Sequence, residues 1–171
     1  AGLFLDAAQA AISSIGQLDV RATPLQMAMV SSGIANGGEV MKPYLVDRVI
    51  APDLRVEQQF EPEVFSTPIS DSTATQLTQM MEQVVADPQG TGHAAGVDGV
   101  RVAGKTGTAE NGLDASGIER PYTLWFTGFA PVDDPKIAIA VVIANGGGEA
   151  HGYVGSSYDL PTEVGKRVME A

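Results

Sequence analysis

Cysteine is absent from the 171 residues, which excludes disulfides, thiolate catalysis and cysteine-ligated metal. That absence fits an extracytoplasmic location. Basic residues are scarce: 10 Lys and Arg stand against 21 Asp and Glu, a formal net charge of −11. A chain that negative repels phosphate backbones and anionic lipid, so nucleic-acid partners and general membrane-surface binding are not expected. Long apolar runs are also missing. The longest, Ile137 to Ala144, is the size of a strand and far short of the roughly 20 residues that cross a bilayer. Histidine occurs twice, at His93 and His151, with no partner ligands at useful spacing, so neither a metal nor a cofactor is expected. The N-terminus carries no initiator Met and no basic stretch of a signal peptide. The chain therefore reads as a processed form or a portion of something longer.

What is present suffices for one folded domain: hydrophobic residues make up 44% and charged residues 18%, enough to fill a core. Residues 1–12 suggest a helical turn or two, interrupted by Ser13-Ser14 and Gly16. Thr23-Pro24 reads as N-cap and first helical position, and Leu25, Ala28, Met29, Ser32 and Ala35 follow at helical spacing until Asn36-Gly37-Gly38. This predicts a helix over 24–36. Residues 44–50 and 54–60 flank Ala51-Pro52-Asp53 and predict a β-hairpin. A second helix over 72–86 places Leu77, Met80, Met81, Val84 and Val85 on one stripe, and Met27, Met29, Met80 and Met81 read as helix-core residues. A glycine-rich loop from Gly90 to Gly99 follows, either a flexible connector or the border of a cleft.

Three strands come next, over 100–109, 122–130 and 136–145. The short Pro131–Pro135 connection makes the last two antiparallel neighbours. In the third, Ile137, Ile139, Val141 and Ile143 alternate with Ala138, Ala140, Val142 and Ala144, so both faces are apolar, as in a central strand covered on both sides. A helix over 158–170, with Pro161 near its start, closes the chain. The content is α/β, of the α+β type, with helices packed on an antiparallel sheet.

The chemistry concentrates in Ala103-Gly104-Lys105-Thr106-Gly107-Thr108-Ala109-Glu110. On a strand, Lys105 and Gly107 face one way and Thr106 and Thr108 the other. Gly107 removes the Cβ that would keep a ligand backbone at a distance. Such an edge can bind an extended peptide by main-chain pairing, with Lys105 supplying charge near a carboxylate and the Thr108 N–H a candidate oxyanion donor. A lone Lys-Thr-Gly is a weak signal, because turns and ordinary strands contain it too.

Its company makes it specific. Ile15-Gly16-Gln17, Thr23-Pro24-Leu25-Gln26-Met27-Ala28, Ala35-Asn36-Gly37-Gly38 and Lys42-Pro43 precede it; Gly90-Thr91-Gly92 stands just upstream; Trp125-Phe126-Thr127-Gly128-Phe129-Ala130-Pro131 and Asp134-Pro135 follow. In this order and spacing the blocks resemble the C-terminal half of the transpeptidase domain of class B penicillin-binding proteins, over nearly the whole chain. The resemblance implies the penicillin-binding transpeptidase / serine β-lactamase-like fold and a D,D-transpeptidase that cross-links peptidoglycan stem peptides through a serine acyl-enzyme. It also implies β-lactam antibiotics as ligands and cell-wall synthesis or division proteins as partners. The location it implies is the extracytoplasmic face of the cell membrane, with an N-terminal anchoring helix outside this chain.

Three motifs serve that chemistry: S-x-x-K with the nucleophile, S-x-N, and K-T-G on a sheet edge. Only K-T-G occurs here; no serine has Lys three residues on, and no S-x-N exists. The expectation is that the other two lie upstream and that this chain alone does not acylate. By the resemblance Lys105 and Thr108 are catalytic, and Thr106, Gly107 and Thr108 bind the substrate's terminal carboxylate and backbone. Against these stand a solvated lysine and ordinary β-propensity for the threonines. Trp125 and Phe126 read as core packing, Asp133-Asp134 as a turn, and Glu110 as solvent-facing. Two other readings remain open: a non-catalytic sensor or scaffold that keeps the K-T-G strand, and a serine β-lactamase relative.

Overall fold

A computed structural model describes residues 6–18, 20–148 and 158–171. The elements run α1 (Ala7–Ser14), α2 (Pro24–Ala35), β1 (Val40–Met41), β2 (Arg48–Ile50), β3 (Val56–Gln59), β4 (Val64–Ser66), α3 (Asp71–Ala86), β5 (Ala103–Ala109), β6 (Thr123–Ala130), β7 (Ile137–Ile143) and α4 (Leu160–Met169). Residues 1–5 of the expected first helical segment, and His151, lie outside the described residues. No described helix is long and apolar enough to cross a membrane.

The helices start where local chemistry satisfies their first N–H groups. Thr23 caps α2 with its hydroxyl on the Gln26 N–H, the Gln26 side chain returns to the Thr23 N–H, and Pro24 takes the first position. Ser70 caps α3 through the Thr73 N–H, and the helix stops at Asp87, before Pro88. The hairpin expected over 44–60 forms with shorter strands, β2 paired antiparallel to β3. The sequence reading missed β1 and β4, which pair outside that hairpin. Two- and three-residue strands are too short to show a period of two.

The core sheet has the order β5-β6-β7, fully antiparallel. Register places Lys105 opposite Thr127 and Gly107 opposite Trp125 on one face. Thr106 opposite Phe126 and Thr108 opposite Leu124 lie on the other. On the second face, Phe126, Ala130 and Ile139 pack with Val85, Ala95 and Val102, and with Met169 of α4. On the first, Ala103 and Phe129 pack with Met81 of α3 and with Ile34 and Ala35 of α2. Helix α3 reaches both clusters, through Met81 and Val85, because it lies along β5 at Ala103–Gly104.

Two expectations change. The strand Ile137–Ile143 is covered on both faces, by α2 and α4, yet among the described strands it is the sheet edge and β6 is central. Period and polarity report which faces are covered, not how many neighbours a strand has. Met80 is 58% exposed instead of core. One residue along a helix is a rotation of about 100°, so seating Met81 on β5 turns Met80 outward. The Gly90–Gly99 segment is not a loose connector. It folds into a short 3-10 turn at His93–Ala95, with Ala95 fully buried and the His93 ring held by the Val85 carbonyl at 3.2 Å.

Two packing devices hold the layers. The Phe126 ring occupies space that side chains at Gly104 and Gly165 would fill: a Cβ there would sit 2.5 Å and 2.7 Å from ring carbons. Behind the other face, the buried Ser31 hydroxyl of α2 meets the Thr127 hydroxyl of β6 at 2.6 Å, and Thr127 also lies 2.9 Å from the Ile139 carbonyl of β7. Farther out, Arg101 joins Glu82 of α3 (2.6 and 2.7 Å) to Asp133 in the β6–β7 turn. Its hydrogen bonds hold the Glu82 carboxyl below the ordinary carboxylate range.

Gly104→Ala is expected to lower stability by about 1–3 kcal/mol through overpacking against Phe126, read as a drop in thermal midpoint. Thr127→Val should cost about 1–3 kcal/mol by orphaning the buried Ser31 hydroxyl. Adding Ser31→Ala should return part of that loss, and simple additivity of the two substitutions would contradict the pairing.

Candidate active-site cleft

The edge of β5 away from β6 opens onto a cleft of about 550 Å³. Its walls are Lys105, Thr106, Gly107, Thr108 and Ala109 of β5, Trp125 and Thr127 of β6, Met27 of α2 and Thr91 of the glycine-rich segment. Ile15, Gly16, Val20, Ala22 and Tyr158 close the rim. All four residues singled out in the K-T-G-T run are brought together there.

Strand geometry sets what each presents. Lys105 is exposed and its Nζ donates to the Thr106 carbonyl at 2.7 Å, leaving two further N–H donors on the ammonium. Thr106 is buried, at 6% exposure, and its hydroxyl pairs with that of Thr91 at 2.8 Å, fastening the glycine-rich segment to β5. Gly107 is half-buried, and a Cβ there would find only Trp125 Cβ, at 3.5 Å. Space inside the fold therefore does not demand this glycine; the missing side chain keeps the cleft side of the strand low. Thr108 is exposed.

The N–H and C=O of one residue point to the same strand edge, and the next residue's point to the other. The Gln17 side chain identifies the open edge. Its Nε2 donates to the Thr108 carbonyl at 3.1 Å, and its Oε1 accepts from the Glu110 N–H at 3.3 Å. Thr106, Thr108 and Glu110 thus direct their main-chain groups away from β6 and toward the cleft. A hydroxyl-flanked strand edge, a lysine ammonium and outward N–H groups together can bind an extended peptide ending in a carboxylate.

Sequence reasoning missed four of these contributors. Trp125, read as core, is half-buried and forms cleft wall opposite Gly107, whereas Phe126 is fully buried as expected. The two differ because adjacent strand residues face opposite sides and only the Phe126 side is sealed by α4. Met27, also read as core, is half-buried on the cleft. Thr91 and Gln17 carried no assigned role, although Gly90-Thr91-Gly92 and Ile15-Gly16-Gln17 both stood among the blocks that carried the resemblance. Glu110 is exposed, as read. Among the described residues, no group of three or more His, Asp or Glu converges on a point where a metal could sit.

Residues 4–170 match the family profile described as the penicillin binding protein transpeptidase domain. The chain is 40% identical over 170 residues to the peptidoglycan D,D-transpeptidase PbpA of Mycolicibacterium smegmatis, covering 99% of this chain and 33% of that protein. Against the crystal structure of PBPA from Mycobacterium tuberculosis the TM-score is 0.83 at 36% identity, over 99% of this chain and 38% of that one. The imipenem acyl-enzyme complex of the same mycobacterial protein superposes with a TM-score of 0.79 at 33% identity, over 99% and 35%. The chain spans about a third of the length of the curated relatives it matches. With its three-stranded antiparallel sheet, α2 and α4 on opposite faces and the K-T-G-T run on the open edge, the chain belongs to the penicillin-binding protein transpeptidase family.

Proposed function

We propose that this chain is the C-terminal part of a D,D-transpeptidase domain acting on peptidoglycan stem peptides, with residues 1–171 supplying the strand that binds and orients the acyl donor. The observation that carries this is the open edge of β5, which sets Lys105, Thr106, Gly107 and Thr108 along one cleft wall. The names of the similar proteins, a peptidoglycan D,D-transpeptidase and an acyl-enzyme complex of imipenem, support the same reading.

In this reaction a serine Oγ, carried upstream of this chain, attacks the penultimate D-alanine carbonyl. Its proton passes to a base, the C–N bond breaks, and D-alanine leaves with a proton on its amine. The amine of a second stem peptide then attacks the ester carbon and releases the serine. Lys105 holds the donor's terminal carboxylate electrostatically and takes part in the proton network around the serine. The Thr106 and Thr108 hydroxyls bind the carboxylate, and the Thr108 N–H faces the developing oxyanion. Gly107 lets the donor backbone approach the strand. A β-lactam is opened by the same attack and stays attached as an acyl-enzyme.

Peptidoglycan lies outside the plasma membrane, so the intact protein works on the extracytoplasmic face, anchored by an N-terminal helix outside this chain and in company with cell-wall synthesis or division proteins. Intact-mass spectrometry before and after exposure to penicillin tests the reading. The whole protein gains one penicillin and a species of 17.7 kDa gains none; whole protein that stays unmodified overturns it.

Lys105→Ala in the whole protein should slow β-lactam acylation by about 100-fold or more, as expected for loss of a charge acting at the reacting centre. Unchanged stopped-flow acylation kinetics would remove Lys105 from the mechanism. Thr108→Val should weaken donor binding by about tenfold, the worth of one charge-assisted hydrogen bond. Because Thr108 is exposed, the thermal midpoint should hardly move. A large fall in midpoint would assign Thr108 to folding instead.

A further inference from the structure

The 10 Lys and Arg side chains share the chain with 21 Asp and Glu, so an acidic neighbour is available to most of them. Seven of the ten sit 3.9 Å or less from a carboxylate, as Lys42 does with Glu63 and Arg167 with Glu163. Among the described residues no carboxylate pairs with the other three, Arg21, Lys105 and Arg120. These three stand together. Lys105 lies in the cleft, and Arg21 and Arg120 line a second cavity of about 1020 Å³ that adjoins it, sharing Ile15 and Val20 with its wall.

Both arginines are exposed and both rise from held backbone. The Arg120 N–H donates to the Gly112 carbonyl at 2.8 Å, closing the β5–β6 loop, and Asn111 Nδ2 donates to the neighbouring Pro121 carbonyl at 2.5 Å. Arg21 stands two residues before the Thr23 cap of α2. Glu110 is the one carboxylate in the cavity wall, and its N–H is held by Gln17. The wall therefore carries two positive charges against one negative, in a chain of net charge −11. Unpaired cations in a concave wall focus positive potential and draw anions in.

The donor's course follows from the function proposed above, on which this inference rests. Its terminal carboxylate lies toward Lys105 and Thr106. In antiparallel pairing the reacting residue itself takes the Thr108 carbonyl, and the residues before it run on toward Glu110. Two residues of extended chain span about 7 Å, enough to bring the donor past Thr108 to the wall of the second cavity.

We propose that Arg21 and Arg120 form a second anion subsite, which binds a carboxylate carried by one of the two donor residues preceding the reacting one. A guanidinium suits that role because it stays charged and presents its N–H groups as a fork matching a carboxylate. The site then selects donors with an anion at each end: Lys105 holds the terminal carboxylate and the arginines hold the internal one. A donor that is neutral before the reacting residue loses the internal contact and keeps the terminal one.

The test uses the whole protein and two thioester donors with the same D-alanyl thioglycolate end, which preserves the terminal carboxylate. One has glutamate at both positions before the D-alanine, the other glutamine at both. The quantity read is the ratio of their second-order acylation rates, glutamate over glutamine, so a general loss of folded protein cancels. The unsubstituted protein should show a ratio of about ten, the worth of one charge-assisted hydrogen bond. Arg21→Gln with Arg120→Gln should bring it to about one, and Arg21→Glu with Arg120→Glu should carry it below one. A ratio of one or less in the unsubstituted protein, or one that neither double variant moves, overturns the subsite; if penicillin still acylates that protein, the transpeptidase reading stands. Whole protein acylated by neither donor nor by penicillin overturns that reading, and the subsite with it.

Discussion

The Phe126 ring, seated between two glycines, is the contact on which the arrangement of layers depends. It is fully buried, worth about 1.5–3 kcal/mol in burial alone. It fits only because Gly104 on β5 and Gly165 on α4 leave the space empty. A glycine in mid-helix costs about 1 kcal/mol against alanine, and Gly165 accepts that cost to bring α4 close against the sheet. Closing that face lets the opposite alternation of the same strands serve the cleft. Phe126 goes inward, while Trp125, Gly107 and Lys105 face the other side; Thr106, though buried, still lines the cleft beside Thr91.

That other side is kept in place by polar contacts. The Ser31–Thr127 hydroxyl pair ties α2 to β6 at the register position facing Lys105. Such a bond is directional, so it sets the position of the helix where apolar packing alone would tolerate sliding. The Thr91–Thr106 pair does the same for the glycine-rich segment. Both pairs include residues of the cleft wall itself, Thr127 in one and Thr91 with Thr106 in the other, so Lys105 and Thr108 are displayed from a strand whose neighbours on both faces are pinned.

The two edges of β5 are used differently. Strand β6 takes one along its whole length. On the other, α3 lies over Ala103 and Gly104, and the Gln17 carboxamide occupies Thr108 and Glu110. Between them, Lys105, Thr106 and Gly107 line the cleft. An exposed strand edge invites pairing with any extended chain, and covering both ends confines that hazard to a short stretch.

Local signals made much of this legible. Thr23-Pro24, Ser70 and Asp87-Pro88 mark helix ends through hydrogen bonds made within a few residues. The Ile137–Ile143 strand announced its two covered faces by composition, and the K-T-G-T run, in the company of the blocks around it, announced the family. What stayed hidden depends on contacts between residues far apart in the chain. That Trp125 lines the cleft while Phe126 fills the core turns on which face α4 seals. The exposure of Met80 follows from the rotation at which α3 seats against β5. The pairing of Gln17 with Thr108 spans 91 residues and leaves no local pattern. A cap or a period is written in neighbours along the chain, but the side of a strand that meets solvent, and the group that covers its edge, are settled only when distant segments compete for the same space.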